Sequence, residues 1–552
     1  MSAEIHPANR AAAGEGPAYS FLPPWTWPIL ASALAWLVIF IAIPAGRQNF
    51  PLGDDWAFAH GAIWFAHGRG IHYSDWASMP QLGQWLWSCP FLSLTSLSHV
   101  ALRVSVIVLS WLGLAAFYDL MRQGGISARL AALAACVLAL DPVFFVSQGT
   151  YMTDVPALSF GLLALNFYAR ALAGKNVRWL MAALCLAVLA VITRQTMLAV
   201  PVAAGLLLLR DREIRWKPVW LLSMMIPSVV CLYTAWWFSR RPDVLPMQPV
   251  FSLSEILFRP FLAIHLCGLV AFPLCLLVPF PKNRNLLTAC LLVVLFAAVG
   301  VFYFYGGLPY GGLFPYSTGM LSPWGTYSPG LVMGQRDILL TQPWRTLFTV
   351  LGCLGAAQIL AVLVERIRAR KFPGILAIFT FLQFLIILTL PGMTDRYLEV
   401  LFPGAIFVIA TRGAISRPRW LAAVAVTGLC GLVSVALLHD WLSWNSARWD
   451  LGRQAVAAKA VPPADIEGGF EWNGWYTCPE PGSPPVATSL GHTNQNDGLL
   501  LLPFTRFFFP DVNGRFALAF TQPPDSTVVA SQPYTLWLPP AHKEFLFVQK
   551  AP

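Results

Sequence analysis

The sequence predicts an all-α polytopic membrane protein of about 13 transmembrane helices, followed by a small mixed α/β or β-rich domain outside the membrane. Hydrophobic residues make up 57% of the 552 residues and charged residues only 11%, whereas soluble domains carry about 25% charged residues. Long apolar runs recur from residue 26 to about residue 438, and short basic clusters separate them. Repeated apolar runs of this kind indicate many membrane crossings rather than a single anchor.

The N-terminal segment is polar, and we predict that residues 1–25 form a cytoplasmic tail. The apolar run behind it is long enough to cross a bilayer and has no cleavage pattern after it, so we interpret it as the first span. Runs of about 15 to 22 apolar residues place the predicted spans at 26–45, 100–121, 130–146, 157–174, 178–193, 196–210, 218–238, 259–280, 285–304, 344–364, 373–391, 398–412 and 420–438. Together they define a predicted membrane domain over residues 26–438.

The charges of the connecting loops predict how the chain is oriented in the membrane. Six loops that share one side of the membrane in this topology are basic, namely "RQGGISAR" (122–129), "GKNVR" (174–178), "RDREIRWK" (210–217), "PKNR" (281–284), "ERIRARK" (365–371) and "RGAISRPR" (412–419). The positive-inside rule places this side and the N-terminus in the cytoplasm; Arg240 and Arg241 are the main exception. The outer segments are then the first outer loop (46–99), the long outer loop (305–343) and the C-terminal domain (439–552).

The outer segments differ in predicted structure. In the first outer loop, "WAFAHGAIWFAHG" (56–68) and "QLGQWLWSCPFLSLTSL" (81–97) are interpreted as interfacial or re-entrant helices. Counting the second as a full span would reverse every later loop against the charge rule. The C-terminal domain alternates turn sequences with β-prone pieces such as "STVVA" and "YTLWL", which predicts strands. Its "GGFEWNGWY" patch (468–476) has no role that the sequence assigns.

Composition also excludes several function classes. The net charge of +10 does not indicate nucleic-acid binding, because the basic residues separate apolar runs and form no basic stripe or tail. The ten cysteines are scattered and include no CxxC pair, so neither a zinc ribbon nor a disulfide framework is predicted. No Walker A sequence is present, which argues against ATP-driven transport.

Acidic residues on the predicted outer side are candidates for catalysis, because ionisable groups near a membrane are costly. Asp54 and Asp55 follow a turn in "NFPLGDDWAFAHG", where a carboxylate could act as general base toward an acceptor hydroxyl or amine. The alternative is a solvated loop acid or a helix N-cap. Asp154, in "QGTYMTDVPALSF", is either a second acid facing the same cavity, orienting the acceptor or holding a cation, or a helix cap ahead of Pro156.

Basic residues on the same side are candidates for phosphate binding. Arg194 interrupts two apolar runs in "VITRQTML". It either snorkels to lipid headgroups or binds the phosphate of a lipid-linked substrate, for which a guanidinium is well shaped. Arg396 and Tyr397 lie in "LPGMTDRYLEVLFPG", where Arg396 is either a second phosphate contact or the partner of the neighbouring Asp395.

Histidines crowd the first outer loop. His60, His72 and Asp75 could supply ligands to a divalent cation, although metal motifs use tighter spacing. The alternative is an interfacial helix rich in polarisable rings. We leave metal dependence open and predict no other cofactor.

The order of these outer motifs resembles the GT-C superfamily of membrane glycosyltransferases, and within it the protein O-mannosyltransferase-like and aminoarabinose-transferase-like enzymes of bacteria. The resemblance rests on the acidic pair behind the first span, "TDVP" (153–156), "TRQ" (193–195) and "DRY" (395–397), and it covers about residues 26–440. It implies a polyprenyl-phosphate sugar donor and transfer at the extracytoplasmic face of the bacterial inner membrane. The implied acceptor is a lipid, polysaccharide or protein of the cell envelope. Membrane lipids are further expected partners, and nucleic acid is not.

The resemblance also implies residue roles. Asp54 matches the base, Asp55 the second acid of the usual pair, and Asp154 the acid that faces the cavity. The positions that match the donor-phosphate contacts are Arg194, Arg396 and Tyr397. The segment "YSDWASMPQLGQW" departs from the family pattern, because it lacks the Lys and the second Pro of a Glu/Lys-Pro-Pro element.

The competing interpretation is a polytopic transporter or lipid flippase whose outer acids couple to protons. Transporters place ionisable residues near the bilayer midplane. Here the predicted spans are almost uncharged and the ionisable residues collect on one face. This distribution favours surface chemistry, and hence a glycosyltransferase, over alternating access.

Overall fold

The computed structural model describes residues 22–74, 76–94, 98–245, 253–278, 284–305, 319–326, 332–369, 374–390, 394–412, 416–459, 461–478, 509, 512 and 514–550. Within these ranges the chain is mostly helical. The helices of the first part are α1 (Trp27–Ala42), α2 (Asp55–Ala66), α3 (Leu82–Leu94), α4 (His99–Gln123), α5 (Ala128–Ala139), α6 (Pro142–Gln148), α7 (Asp154–Gly174), α8 (Val177–Thr193) and α9 (Ala199–Leu208). Those of the second part are α10 (Pro218–Ser239), α11 (Leu253–Cys275), α12 (Arg284–Tyr305), α13 (Gln342–Arg368), α14 (Ile375–Ile387), α15 (Phe402–Ala410), α16 (Arg417–Lys459) and α17 (Phe470–Thr477).

Several of these helices are membrane-spanning in length and composition. In the part of the chain that the structure describes, six helices are long and apolar enough to cross a bilayer, and a seventh crossing arises if α5 and α6 form one bent span. Five shorter apolar helices accompany them, namely Val177–Thr193, Gln195–Leu208, Arg259–Cys275, Asn285–Leu295 and Ile375–Ile387. The protein is therefore a multi-pass membrane protein, but the predicted count of 13 full spans is not confirmed.

The difference from the predicted count has a local cause in broken helices. The predicted span 130–146 is interrupted, because α5 ends at Ala139 and α6 starts at Pro142 with a 65° bend between them. Asp141 caps α6 by accepting the backbone N–H groups of Val143 and Phe144 at 3.0 and 3.1 Å. A cap followed by proline starts a new helix, and counting apolar residues does not detect such a break.

The first outer loop contains the two expected helices, α2 and α3, which pack against each other. Gly61 of α2 lies directly under the Trp85 ring of α3, where a Cβ atom would come within 2.3 Å of the ring. Arg241, one of the two arginines that break the charge rule, ties this loop to α10. Its guanidinium lies between the rings of Tyr73 and Trp237, at 5.1 and 5.0 Å, and donates to Asp243 at 2.7 and 2.8 Å. The charge of Arg241 is thus compensated locally.

The long helix α16 joins the membrane domain to the C-terminal domain. It continues without a break from Arg417 to Lys459, past residue 438, the predicted end of the last span. Polar residues beyond that point did not end the helix because its outer turns are buried: Trp441, Trp444 and Trp449 on them are almost fully covered.

The C-terminal domain contains the expected strands. They are β3 (Ile466–Glu467), β4 (Phe516–Ala519), β5 (Ser526–Trp537) and β6 (Pro540–Lys550), after the short hairpin β1 (Leu321–Ser322) and β2 (Gly325–Thr326) of the long outer loop. The sheet order is β3-β4-β6-β5, with β3 parallel to β4 and the other pairs antiparallel. Aromatic rings attach the sheet to α16, since Phe520 packs edge-on against Trp444 at 5.0 Å and against Phe545 at 4.9 Å.

Candidate active site

Asp54 occupies the turn that precedes α2. Gly53 has a positive φ of 59°, which lets the chain turn before the helix begins. The Asp54 carboxylate is buried, with Oδ2 accepting a hydrogen bond from Arg396 Nη2 at 2.6 Å and Oδ1 accepting one from the Trp76 indole at 3.0 Å. It makes no side-chain cap bond to α2. The N-cap alternative therefore does not describe the Asp54 carboxylate, which contacts Arg396 and Trp76 instead.

Asp55 lies next to Asp54 but points elsewhere. Its Oδ1 accepts the backbone N–H of Tyr151 at 2.7 Å and its Oδ2 that of Leu52 at 3.3 Å. Burial raises the pKa of this carboxyl group to about 7, although the two backbone hydrogen bonds and the charge of Arg103 oppose the increase. Because its partners are backbone groups, Asp55 fastens the first outer loop to the segment before α7.

The raised pKa of Asp55 predicts a pH-dependent stability. The folded chain holds this proton more tightly than the unfolded chain, whose pKa is near 3.8. The contribution of Asp55 to the free energy of unfolding therefore falls as the pH rises from about 4 to about 7, by on the order of 4 kcal/mol. We expect the melting temperature of wild type, measured relative to Asp55→Asn in detergent, to decrease across this interval and to level off above it. A difference that stays constant from pH 4 to pH 8 would contradict the expectation.

Asp154 and Arg194 form a second buried acid–base pair. Asp154 begins α7, and Arg194 directly follows α8. Arg194 Nη1 donates to Asp154 Oδ1, and their side chains are only 10% and 6% exposed. Arg194 also donates to the Thr153 hydroxyl at 3.4 Å. A snorkelling arginine keeps its charged head in water or headgroups, so the burial of Arg194 disfavours that alternative.

Tyr397 connects the two pairs. Its ring centre lies 5.1 Å from the guanidinium carbon of Arg194 and 5.2 Å from that of Arg396, both within the range of cation–π attraction. An uninterrupted series of contacts thus runs through Asp54, Arg396, Tyr397, Arg194 and Asp154, which we name the acid–arginine cluster. The structure brings these five predicted residues together from four separate parts of the chain.

Asp395 has a different role from the local pair that the sequence allowed. Its Oδ1 accepts the backbone N–H groups of Met320 and Arg396 at 2.7 and 2.8 Å, and its Oδ2 accepts that of Leu321 at 2.7 Å. Asp395 therefore fastens the β1–β2 hairpin of the long outer loop beside the acid–arginine cluster. The Arg396 side chain instead reaches Asp54.

A cavity of about 410 Å³ opens beside the acid–arginine cluster. Arg194 and Tyr397 line one part of it. Its other polar lining residues are Ser78, Gln195, Thr196, Ser239 and Thr389, and its apolar ones are Met79, Leu198, Ala235, Phe238, Ile386 and Leu390. A mostly apolar wall with a few charged or polar groups suits a ligand with an anionic head and an apolar body.

Of the three predicted metal ligands, the structure describes the two histidines. His60 is stacked between the rings of Trp64 and Trp475, at 5.1 and 4.0 Å, and burial lowers its pKa to about 4. His72 is half-buried, and Asp75 lies outside the described residues. Among the residues with a described placement, no three His, Cys, Asp or Glu side chains form a group able to hold a metal ion. The divalent cation remains a prediction, and His60 serves packing.

Sequence reasoning missed two buried ionisable residues near the cluster, Arg103 and Glu399. Arg103 donates to the carbonyls of Gly149, Gln48 and Phe50 at 2.6, 3.1 and 3.2 Å, and so shapes the chain ahead of Asp54. Arg103 is the one basic residue within the apolar run 100–121, and this was the signal that could have identified it. Glu399, two residues after Tyr397, accepts a hydrogen bond from the Ser147 hydroxyl.

Residues 78–237 match the family described as dolichyl-phosphate-mannose-protein mannosyltransferase. The predicted family resemblance is confirmed. The matched segment includes Asp154 and Arg194 of the acid–arginine cluster, while Asp54, Arg396 and Tyr397 lie outside it. No curated protein sequence matches the chain significantly.

Several solved structures, including the three described here, are similar to the chain at low sequence identity. ArnT from Cupriavidus metallidurans bound to undecaprenyl phosphate is 14% identical, with a TM-score of 0.46 over 95% of this chain and 99% of that chain. The apo state of the same protein gives 14% identity and a TM-score of 0.38 over the same shares of the two chains. Arabinosyltransferase EmbB from Mycobacterium smegmatis gives 13% identity and a TM-score of 0.35 over 78% of this chain and 42% of that chain.

Proposed function

We propose that the protein is a membrane glycosyltransferase that moves a sugar from a polyprenyl-phosphate donor to an acceptor at the extracytoplasmic face. The observation that supports this most is the acid–arginine cluster, in which two carboxylates and two guanidiniums meet around one ring beside a largely apolar cavity. The family match supports the same donor class, because the description of that family names a dolichyl-phosphate-linked sugar.

The proposed reaction assigns one role to each side of the cluster. The acceptor oxygen or nitrogen forms a bond to the anomeric carbon while the bond from that carbon to the phosphate oxygen breaks. The acceptor proton passes to Asp54 as general base, and the electron pair leaves with the phosphate. Arg194 and Arg396 stabilise the charge that develops on the phosphate. The apolar wall of the cavity, including Leu198 and Phe238, accommodates the prenyl chain.

The ion pairs also suggest an order of events. Arg396 is paired with Asp54, and Arg194 with Asp154. A phosphate is a good partner for a guanidinium, so an arriving donor competes with both carboxylates. When Arg396 turns to the phosphate, Asp54 Oδ2 loses its ion-pair partner and is available to the acceptor proton, while the Trp76 indole still donates to Oδ1. We propose that donor binding precedes proton abstraction for this reason.

The remaining assignments are part of the same proposal. The N-terminus lies in the cytoplasm and the C-terminal domain in the periplasm of a bacterial inner membrane, as the basic loops predict. The acceptor is a lipid, a polysaccharide or a protein. With this orientation the acid–arginine cluster opens toward the side on which envelope polymers are assembled.

A transfer assay tests the proposed function. Membranes that contain the protein, and matched membranes that lack it, are incubated with undecaprenyl phosphates carrying different radiolabelled hexoses and pentoses. We expect label to move from one of these donors to a second product, with release of undecaprenyl phosphate, only where the protein is present. Label that crosses the bilayer of sealed vesicles on an unchanged lipid would identify a flippase instead. If no donor is consumed or moved, the proposal is wrong.

A further inference from the structure

We propose that the "GGFEWNGWY" patch (468–476) positions the base Asp54, and that Glu471 is its positioning residue. This inference rests on the proposed function, because it takes Asp54 as the base. The patch belongs to the C-terminal domain. It comprises the two glycines that follow β3 and all of α17 except its last residue. It contributes no side chain to the acid–arginine cluster, yet its contacts converge on the turn that holds Asp54.

The most direct contact is a hydrogen bond to the backbone beside Asp54. The N–H of Gly53 donates to Glu471 Oε1 at 3.1 Å. Gly53 is the residue with positive φ in this turn, so the orientation of its peptide sets the direction in which the next side chain leaves the chain. A fixed Gly53 N–H therefore fixes the Asp54 carboxylate against Arg396 and Trp76.

The other carboxylate oxygen of Glu471 is held by a second buried charge. Arg448 Nη2, from α16, donates to Glu471 Oε2 at 3.0 Å, and both side chains are fully buried. Arg448 Nη1 also donates to the Gly468 carbonyl at 3.3 Å. Burying two charges is expensive, and apolar side chains of similar size often stabilise a fold as well or better. Apolar side chains, however, could not accept the Gly53 N–H.

Ring contacts give the patch a second route to Asp54. Phe470 packs edge-on against Trp76 at 5.4 Å, and Trp76 donates its indole N–H to Asp54. Gly474 lies against the Trp56 ring of α2, where a Cβ atom would come within 2.3 Å. Trp475 stacks on His60 of α2 at 4.0 Å. The patch thus contacts the helix behind Asp54 and the ring in front of it.

Two double variants separate positioning from packing. Arg448→Met with Glu471→Gln removes both buried charges and keeps an amide oxygen that can accept the Gly53 N–H. Arg448→Met with Glu471→Leu removes the charges and the acceptor together. Neither leaves a buried charge without its partner, which is the main source of misfolding when one member of such a pair is lost. The full-length protein in detergent is used throughout, and melting temperature and monodispersity verify folding.

Hydrogen exchange and transfer kinetics provide the readouts. We expect the Gly53 amide to exchange like wild type in the Gln variant and faster in the Leu variant. The Leu variant should also lose about 10- to 100-fold in kcat, the scale of a small misplacement of a catalytic group, with little change in the KM for the donor. The Gln variant should retain most of the wild-type kcat.

The two readouts distinguish the possible failures. Equal protection of the Gly53 amide in both double variants, or an equal loss of kcat in both, would overturn the positioning role of Glu471. If the wild-type protein transfers no sugar from any undecaprenyl-phosphate donor, the proposed function fails. The exchange of the Gly53 amide then still decides whether Glu471 holds this turn.

Discussion

Asp54→Asn is expected to lower the rate of sugar transfer about 10²- to 10⁴-fold, the range that a positioned general base contributes. The amide keeps the size of the side chain and can still accept the Trp76 indole, so the turn should keep its shape. It cannot take the acceptor proton. Transfer from the radiolabelled donor under saturating conditions measures the loss, and binding of undecaprenyl phosphate should persist because Arg194 and Arg396 remain.

Asp450→Asn provides a matched control for this change. Asp450 is also an acid paired with an arginine, at 3.4 Å from Arg47, but it lies on α16 outside the acid–arginine cluster and is partly exposed. We expect its amide variant to transfer sugar at nearly the wild-type rate. A well-folded Asp54→Asn protein that matches Asp450→Asn in rate would show that Asp54 is not the base, and Asp154→Asn would then be the next variant to measure.

Arg194→Lys and Arg396→Lys are each expected to reduce kcat/KM for the donor about 10- to 100-fold, since a hydrogen bond to a charged group contributes about 1.5–3 kcal/mol. Lysine keeps the positive charge that the buried carboxylates require, so folding should survive. It lacks the planar guanidinium group, which binds phosphate with two parallel hydrogen bonds and packs on an aromatic ring. The double variant should lose more than either single one, and its inhibition constant for free undecaprenyl phosphate should rise in parallel.

Arg170→Lys is the matched control for the arginines. Arg170 pairs with Asp119 at 2.7 Å and lies over the Trp179 ring at 5.5 Å, so it has the same two kinds of partner at a more exposed position on the predicted cytoplasmic side. We expect its kcat/KM for the donor to equal that of wild type. If Arg194→Lys and Arg396→Lys behave like this control, neither arginine binds the donor phosphate.

Much of the candidate site could be predicted because charge is scarce in this sequence. When few ionisable residues occur between apolar runs, the positive-inside rule assigns nearly all of them to a side. Asp54, Asp154, Arg194 and Arg396 were all assigned to the outer side, and the structure brings them together. Their pairing could not be predicted, because Asp54 and Arg396 are 342 positions apart in the chain. The sequence equally allowed Arg396 to pair with the adjacent Asp395.

The two fold predictions that the structure corrects both concern where a helix ends. Apolar composition identifies segments that favour the membrane, but it does not show where a helix stops. The cap formed by Asp141 divides one predicted span into α5 and α6, and the burial of Trp441 and Trp449 carries α16 beyond its predicted end. The cap is local, since Asp141 bonds backbone groups two and three positions away, whereas the burial that extends α16 depends on residues that are distant in the sequence.

Three properties of this chain follow from its sequence: it resides in the membrane, a few polar residues are candidates for catalysis, and strands follow the last apolar run. Hydrophobicity, loop charge and turn chemistry are local properties, and they can be read from neighbouring residues. The pairing of acids with arginines follows only from the three-dimensional structure, which shows that Asp54 contacts Arg396 while Asp55 accepts backbone amides. The same holds for the contact between Glu471 and Gly53. Such contacts join distant segments, and only packing in three dimensions specifies them.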